Sequence, residues 1–132
     1  MSDQSSNSTP AYRTDRVRVL CFITRKEGVS QEEFDRHWLE DNSKLMLSLD
    51  IVKKNLLKYE QLHVNQQMKT QLQSFGVGLI QCDGAAICEA ESYQKVFNNP
   101  EYFAVVRPDE EKFVDTAKTL LLPLDVAVFI DK

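Results

Sequence analysis

The stretch VRVLCFIT, residues 17–24, most constrains the fold, because it is rich in β-branched and aromatic residues and is apolar on both faces. Such residues favour a strand, and side chains alternate between the two faces of a strand. A strand of this kind needs cover on both sides. In a chain of 132 residues, we expect the second cover to come from another copy of the chain. The alternating positions are Val17, Val19, Cys21 and Ile23 on one face and Leu20 and Phe22 on the other.

A helix with an explicit start is predicted over residues 29–50. Ser30 is the predicted N-cap, and Glu33 completes a capping box. Val29 and Phe34 are placed to form a hydrophobic staple. Apolar residues then recur at helical spacing and predict one buried stripe. The stripe comprises Phe34, Trp38, Leu45 and Leu49.

The remaining elements are three strands and a second helical region. Strands are predicted at residues 55–64, 85–91 and 120–130, with Pro123 implying an edge position or a bulge in the last. Residues 92–119 are typical of two or three short helices. In that region Ser92 and the sequence PDEE are helix starts, and Pro108 is predicted to force a break.

The order of elements, β-α-β-β-α-β, predicts an α+β protein of the ferredoxin-like kind. Four antiparallel strands would form one sheet, with the helices packed on one face. The other face would be sheltered by a second copy, so we expect a homodimer. Residues expected to need this shelter are Leu20, Phe22, Leu57 and Tyr59.

Composition excludes several classes of protein. The net charge of −4 supplies no cationic footprint for nucleic acid, and no apolar window is long enough to span a membrane. Residues 1–15 are polar, lack the apolar region of a secretory signal and are predicted to be a disordered tail, followed by one domain over 16–132. Three cysteines without a C-x-x-C pair favour reduced thiols and a cytoplasmic protein. Because the chain has no glycine-rich phosphate loop and no metal-ligand spacing, no cofactor or metal is expected.

The sequence KYEQLHVN, residues 58–65, contains the first candidate for chemistry. As a strand it directs Tyr59, Gln61 and His63 to one face. Imidazole exchanges a proton near neutral pH, so His63 is a candidate general base or acid. A neighbouring phenol such as Tyr59 can donate to a developing oxyanion. The alternative is a structural histidine that is hydrogen-bonded to a facing subunit.

The long helix contains polar residues on or beside its apolar stripe. His37 is expected at the surface or its boundary, and Trp38 in the core. Glu40, Asp41 and Asn42 interrupt the stripe, so either they line a cavity or the helix is exposed there. Arg107 would pair with an anionic substrate or with a nearby carboxylate.

Four segments together resemble the EthD domain family: FDRHWLEDNSKL, LLKYEQLHVN, QCDGAAICEAES and PDEEKFVDTAKT. The resemblance extends over about residues 16–130 and is closest to the dehydratase-like proteins of fungal polyketide pathways. It implies a dimeric α/β barrel, in which two ferredoxin-like sheets pack face to face. It also implies a cofactor-free cavity between the long helix and the concave sheet, with Tyr59 and His63 in it. Many relatives have a histidine where this chain has Asn42, an amide that cannot transfer a proton at neutral pH.

The leading functional hypothesis is therefore a lyase that dehydrates a polyketide or aromatic intermediate. His63 would remove a proton next to a carbonyl group, with Asp41 nearby, while Tyr59 or Asn42 stabilises the enolate. The alternatives are a decarboxylase or cyclase of the same pathway type, or a binding protein for a hydrophobic metabolite. Residues expected to contact the substrate are Trp38, Gln61, Phe22, Phe34 and Arg107.

Overall fold

The computed structural model describes residues 11–132, in which four strands form one antiparallel sheet. Across the sheet, the second, third, first and fourth strands of the chain are neighbours in that order. The predicted fold class is confirmed, and the bounds of the first three strands along the chain agree with the predicted bounds to within about a residue. The fourth strand is shorter than predicted, and its edge position accommodates Pro123. The strands are β1 Val17–Ile23, β2 Leu56–His63, β3 Gly84–Ala90 and β4 Leu120–Leu124.

The helices pack mainly against one face of this sheet, where two apolar clusters form the core. Within the part of the chain that is described, no helix has the length and apolar character needed to cross a bilayer. Most of the predicted tail, residues 1–10, lies outside that part, and the backbone N–H of Arg13 donates to the carbonyl of Val126 at 2.9 Å. The helices are α1 Gln31–Arg36, α2 Ser43–Ser48, α3 Asp50–Asn55, α4 Gln66–Ser74, α5 Tyr93–Phe97 and α6 Pro100–Phe113, with a π segment His37–Asn42 and a 3₁₀ turn Thr116–Lys118.

The start of α1 follows the local sequence signals in part. The hydroxyl of Ser30 accepts the backbone N–H of Glu33 at 3.1 Å, so the predicted N-cap is confirmed. The second half of the capping box is not formed. The Glu33 carboxylate instead accepts two hydrogen bonds from Arg36, at 2.7 and 3.0 Å, on the exposed side of the helix.

The predicted long helix is not continuous, because a π segment interrupts it. The backbone N–H of Ser43 donates to the carbonyl of Trp38, five residues earlier. This wider turn shifts the inward positions by one residue, so Asn42 and Met46 are buried while Leu45 is only half-buried. The prediction of Leu45 in the stripe was therefore wrong.

The second helical region differs from prediction at Pro108, which lies inside α6 and does not break it. Helix α6 begins instead at Pro100, where the side chain of Asn99 accepts the N–H of Glu101 at 2.8 Å. Pro108 and Ala104, whose carbonyl loses its helical partner, are both exposed. Water can therefore replace the missing hydrogen bond, which lowers the cost of an internal proline.

The sheet face without helices is apolar, but its composition differs from the prediction at Tyr59. Register places Leu20 opposite Ile87 and Phe22 opposite Ala85 on this open face. Tyr59 pairs with Cys88 and therefore lies on the helix-covered face. The register of β2 with β3 changes at a bulge between Leu56 and Lys58, just before Tyr59. The apolar side chains of the open face include Leu20, Phe22, Leu62, Ile87, Leu120 and Leu122.

We expect Gly84→Ala to destabilise the protein, because the first residue of β3 has no room for a side chain. An added Cβ would lie 2.7 Å from Cζ3 of Trp38 and 3.2 Å from Cε2 of Phe34. Overpacking of this kind costs about 1–3 kcal/mol. Gly78→Ala is the matched control, since an added Cβ there has no atom within 4 Å. Urea midpoints would measure both variants, and equal midpoints for the two would contradict the expectation.

Candidate active site

A cavity of about 290 Å³ lies between the helix-covered sheet face and the helices. Strands β1 and β3 form its floor, and aromatic side chains such as Trp38, Phe97 and Phe113 form much of its wall. Its volume is at the lower end of the range for metabolite sites, which extends from about 300 to 1,000 Å³. The polar side chains at its surface include Asn42, Tyr59, Tyr93, Tyr102, Arg107 and Glu110.

The half-buried carboxyl group of Glu110 is the principal ionisable group of the cavity. The hydroxyl of Tyr102 donates to Oε2 of Glu110 at 2.6 Å, and Nε of Arg107 donates to Oε1 at 3.2 Å. Burial raises the pKa of Glu110, and the charge of Asp109 acts in the same direction, whereas Tyr102 and Arg107 lower it in part. Glu110 therefore has the environment of a carboxyl group that exchanges a proton closer to neutral pH than an exposed one.

The tyrosines of the cavity are hydrogen-bond donors at neutral pH. Burial raises the pKa of Tyr59 and of Tyr93 to about 12. Burial, together with the charge of Glu110, also raises the pKa of Tyr102 well above its ordinary value. All three phenols are therefore protonated at neutral pH, and each can donate a hydrogen bond to an oxygen atom.

The two cysteines of the sheet contribute apolar surface to the cavity floor. Burial raises the pKa of Cys21 to about 11 and that of Cys88 to about 12. Since the thiolate is the nucleophilic form, neither thiol is activated for covalent chemistry. Among residues 11–132, no group of three His, Cys, Asp or Glu side chains is arranged to hold a metal ion.

A buried carboxylate connects the cavity to His37. Asp109 is only 6% exposed and accepts from Nδ2 of Asn42 at 3.0 Å. Nε2 of His37 lies 3.0 and 3.1 Å from the two oxygens of Asp109, and Nδ1 lies 3.4 Å from Asp41. Asn42 lines the cavity, whereas Glu40 is exposed and Asp41 is only half-buried, so each alternative predicted for this segment holds for part of it.

His63 does not line the cavity. Its Nδ1 lies 2.8 Å from Oδ1 of Asp35, and its Nε2 lies 2.8 Å from Oε1 of Gln61. The ring packs against Trp38 at 4.7 Å between centroids, and it is Trp38 that faces the cavity. The structure therefore brings Tyr59 to the cavity and leaves His63 beside it, with partners from its own chain.

The predicted substrate contacts are divided in the same way. Trp38 and Arg107 line the cavity. Phe34 is fully buried in the core, Gln61 donates to the carbonyl of Trp38 at 2.9 Å, and Phe22 lies on the open sheet face. None of these three side chains borders the cavity.

Glu110 and its partner Tyr102 were missed in the sequence. The sequence PDEE was interpreted as a helix start, so Glu110 was assigned to a different helix from the residues before Pro108. A continuous helix would have shown the relation, because positions 102, 106 and 113 form a helical stripe with 109 and 110. Because Pro108 was predicted to break the helix, the helical spacing across it was not recognised.

The sequence profile of the EthD domain family matches residues 26–117. The chain belongs to the EthD domain family. Among curated proteins, none matches this chain. The family profile spans more than two-thirds of the residues of this chain, which establishes the family. It covers α1, β2, β3 and α6 but ends before β4.

Solved structures similar to this EthD domain share its fold at low sequence identity. A DABB family protein with a ferredoxin-like fold from Mesorhizobium loti has a TM-score of 0.56 and 17% identity, covering 83% of this chain and 94% of that one. An ethyl tert-butyl ether D (EthD) family protein from Bacillus halodurans has a TM-score of 0.52 and 14% identity, covering 86% and 99%. A dimeric protein of unknown function with a ferredoxin-like fold from Bacteroides fragilis has a TM-score of 0.53 and 12% identity, covering 88% and 100%. At these identities the likeness establishes the ferredoxin-like fold.

We expect the stability of this EthD domain to depend on pH through Glu110. Because burial raises the pKa of Glu110, the folded protein binds this proton more tightly than the unfolded chain does. The stabilisation is complete below the ordinary carboxyl pKa of about 4.3 and is lost as the pH rises through the raised value. Glu110→Gln lacks this dependence, so wild type should lose stability relative to the variant as the pH increases.

Urea midpoints measured at several pH values between about 4 and 7 would test this linkage. Glu111→Gln is the matched control, because Glu111 is the next residue and is exposed. A constant difference between wild type and Glu110→Gln across this range would contradict the expectation.

Proposed function

We propose that this EthD domain is a cofactor-independent lyase that acts on a polyketide or aromatic intermediate, with Glu110 as the acid–base residue. The observation that carries the proposal is the Glu110 carboxyl, hydrogen-bonded by Tyr102 at 2.6 Å in a largely apolar cavity. A catalytic acid or base is most effective when its pKa lies near the working pH. Burial raises the pKa of Glu110 and so moves it towards neutral pH. His63 is the weaker candidate because it does not border the cavity.

The favoured reaction is dehydration of a β-hydroxy carbonyl compound. The carboxylate of Glu110 removes the proton next to the carbonyl group, and the electron pair moves to the carbonyl oxygen. That pair then returns to form the carbon–carbon double bond as the carbon–oxygen bond to the β-hydroxyl breaks. Glu110 returns its proton to the departing hydroxide, so one water leaves and the enzyme is regenerated. The protonated phenol of Tyr59 is suited to stabilise the enolate oxygen.

The same groups would also support decarboxylation. There the carbon–carbon bond to a carboxylate breaks, carbon dioxide leaves, and protonated Glu110 supplies the proton to the carbon. The guanidinium of Arg107, which is partly exposed and borders the cavity, would attract the substrate carboxylate. Mass spectrometry of the converted metabolite would separate the two reactions by the loss of water or of carbon dioxide.

We expect the chain to catalyse proton exchange at the α-carbon of a bicyclic ketone. The probe is 2-tetralone in deuterated buffer, with deuterium incorporation followed by NMR. Glu110→Gln should lose about 10²-fold or more of the rate while it retains binding, since general acid–base catalysis contributes about 10²–10⁴-fold. Tyr102→Phe should lower the rate less, because it removes only a hydrogen bond to Glu110. Glu111→Gln should retain the wild-type rate.

Three outcomes would count against this assignment. Retained exchange in Glu110→Gln together with loss in His63→Ala would make His63 the base. Binding of 2-tetralone by wild type without any exchange would favour a metabolite-binding protein. Loss of exchange in Glu111→Gln would show that the charge of α6, and not the position of Glu110, controls the rate.

We also propose that a second copy of the chain covers the open sheet face, to form the dimeric α/β barrel. Leu120, Leu122 and Leu62 are 66%, 45% and 38% exposed on or beside this face, which is a large apolar area for a free surface. The similar structure from Bacteroides fragilis is that of a dimeric protein. Two sheets of this kind packed face to face would bury both apolar surfaces.

We expect Leu122→Glu to convert a wild-type dimer to monomers at micromolar concentration. The substitution would place a charge on the apolar surface that the second copy is proposed to cover, where its desolvation is unfavourable. Leu47→Glu is the matched control, because Leu47 is 56% exposed on α2, away from the sheet. Light scattering after size exclusion would measure the mass. A monomeric wild type, or an unchanged dimer in Leu122→Glu, would contradict the proposal.

A further inference from the structure

The side chain of Asn42 is a buried amide at the wall of the cavity, with one polar atom free. The residue is only 4% exposed. Its Nδ2 donates to Asp109 at 3.0 Å, and its Oδ1 accepts no hydrogen bond from residues 11–132. No fully buried side-chain nitrogen or oxygen in that part of the chain lacks a partner. Oδ1 is therefore not fully buried, and the open space that Asn42 borders is the cavity.

Asp109 determines which way the amide points. The Asp109 carboxylate also accepts a hydrogen bond from Nε2 of His37 at 3.0 Å, and Nζ of Lys112 lies 3.8 Å from it. An ionised carboxylate only accepts hydrogen bonds, so it selects the NH₂ end of Asn42 and turns the carbonyl end away. Asp109 is 6% exposed, which shields this hydrogen bond from competition by water.

The π segment brings Asn42 to this position. The Trp38 carbonyl accepts from the backbone of Ser43 and from Nε2 of Gln61, which supports the wide turn from the sheet side. The turn directs Asn42 inward and leaves the carboxylate of Asp41 about half exposed. The side chain that borders the cavity at this point is therefore the neutral amide of Asn42, with Oδ1 as a hydrogen-bond acceptor.

We propose that Asn42 is the specificity-determining residue of the cavity, and that its Oδ1 accepts a hydrogen bond from a phenolic or enolic hydroxyl of the ligand. The proposal rests on the proposed function, since it takes the cavity to be the substrate site. A bound ligand without a donor at this point would leave Oδ1 buried and unpaired, which lowers its affinity. The neighbouring walls, which include Trp38, Met46 and Phe113, suit a flat ring that carries such a hydroxyl. The substrate class is thus narrowed to hydroxylated aromatic compounds or their enolic precursors.

The test compares 1-naphthol with 1-methoxynaphthalene, two probes of similar shape of which only the first can donate. Calorimetric titration of wild type should give about tenfold tighter binding of 1-naphthol. Asn42→Leu, which has a similar volume and no acceptor, should bring the ratio of the two affinities close to one. Asp109→Asn should lower the ratio in part, because a neutral amide no longer selects the NH₂ end of Asn42. Glu40→Gln is the matched control and should retain the wild-type ratio, since Glu40 is exposed and lies outside the cavity.

The ratio is informative because a general loss of structure would weaken both probes together. If Asn42→Leu does not fold, Asp109→Asn supplies the same test through the orientation of the amide. Equal affinities in wild type, an unchanged ratio in both variants, or no binding of 1-naphthol at millimolar concentration would overturn the inference. Selective binding of 1-naphthol without exchange of 2-tetralone would support Asn42 as the selector while contradicting Glu110 chemistry.

Discussion

The carbonyl oxygen of Trp38 accepts two hydrogen bonds, and the geometry of the candidate site depends on that pair. The first comes from Ser43 and defines the π turn, and the second comes from the side chain of Gln61 on β2. Together they join the long helical region to the sheet at the point where the cavity opens between them. The indole of the same residue packs against Phe34, against His63 and towards Gly84. A change at this junction would therefore alter the core and the cavity at once.

Two consecutive carboxyl groups on α6 have different hydrogen-bond partners, and this difference underlies the separate roles that are proposed for them. Asp109 is held as an acceptor by Asn42 and His37. Glu110 faces the cavity with a raised pKa, bonded by Tyr102 and Arg107. In the proposals made above, Asp109 orients the amide of Asn42 towards a ligand, and Glu110 exchanges a proton.

The sheet has two faces that serve different purposes. One face supplies the floor of the cavity and is covered by helices α1 to α3, α5 and α6. The other face carries apolar rows such as Leu122, Leu20 and Ile87 across three strands, and the core packed by the helices of residues 11–132 lies on the opposite face. A monomer would leave this area in water, which gives the proposed dimer its physical reason. The fold thus separates the proposed ligand site from the proposed subunit interface.

The sequence by itself determined the features that depend on local physics. Alternation and β-branched content located β1, β2 and β3, and the Ser30 hydroxyl located the start of α1. These signals are short-range, because a strand's faces and a helix cap involve residues only a few positions apart. The apolar character of both faces of β1 also predicted that the sheet would need cover on both sides.

The tertiary structure alone decided which side chains meet in the cavity. Gln61 of β2 donates to the Trp38 carbonyl in the π turn, which is a long-range contact. The π turn places Asn42 and Met46 inward in place of Leu45. Pro108 is tolerated because its helix face meets water, a fact that depends on how α6 packs. His63 was the evident candidate by residue type, yet Trp38 packs against it and faces the cavity itself. Glu110 became a candidate only through burial beside Tyr102, and burial is a property of the assembled fold and not of the residue.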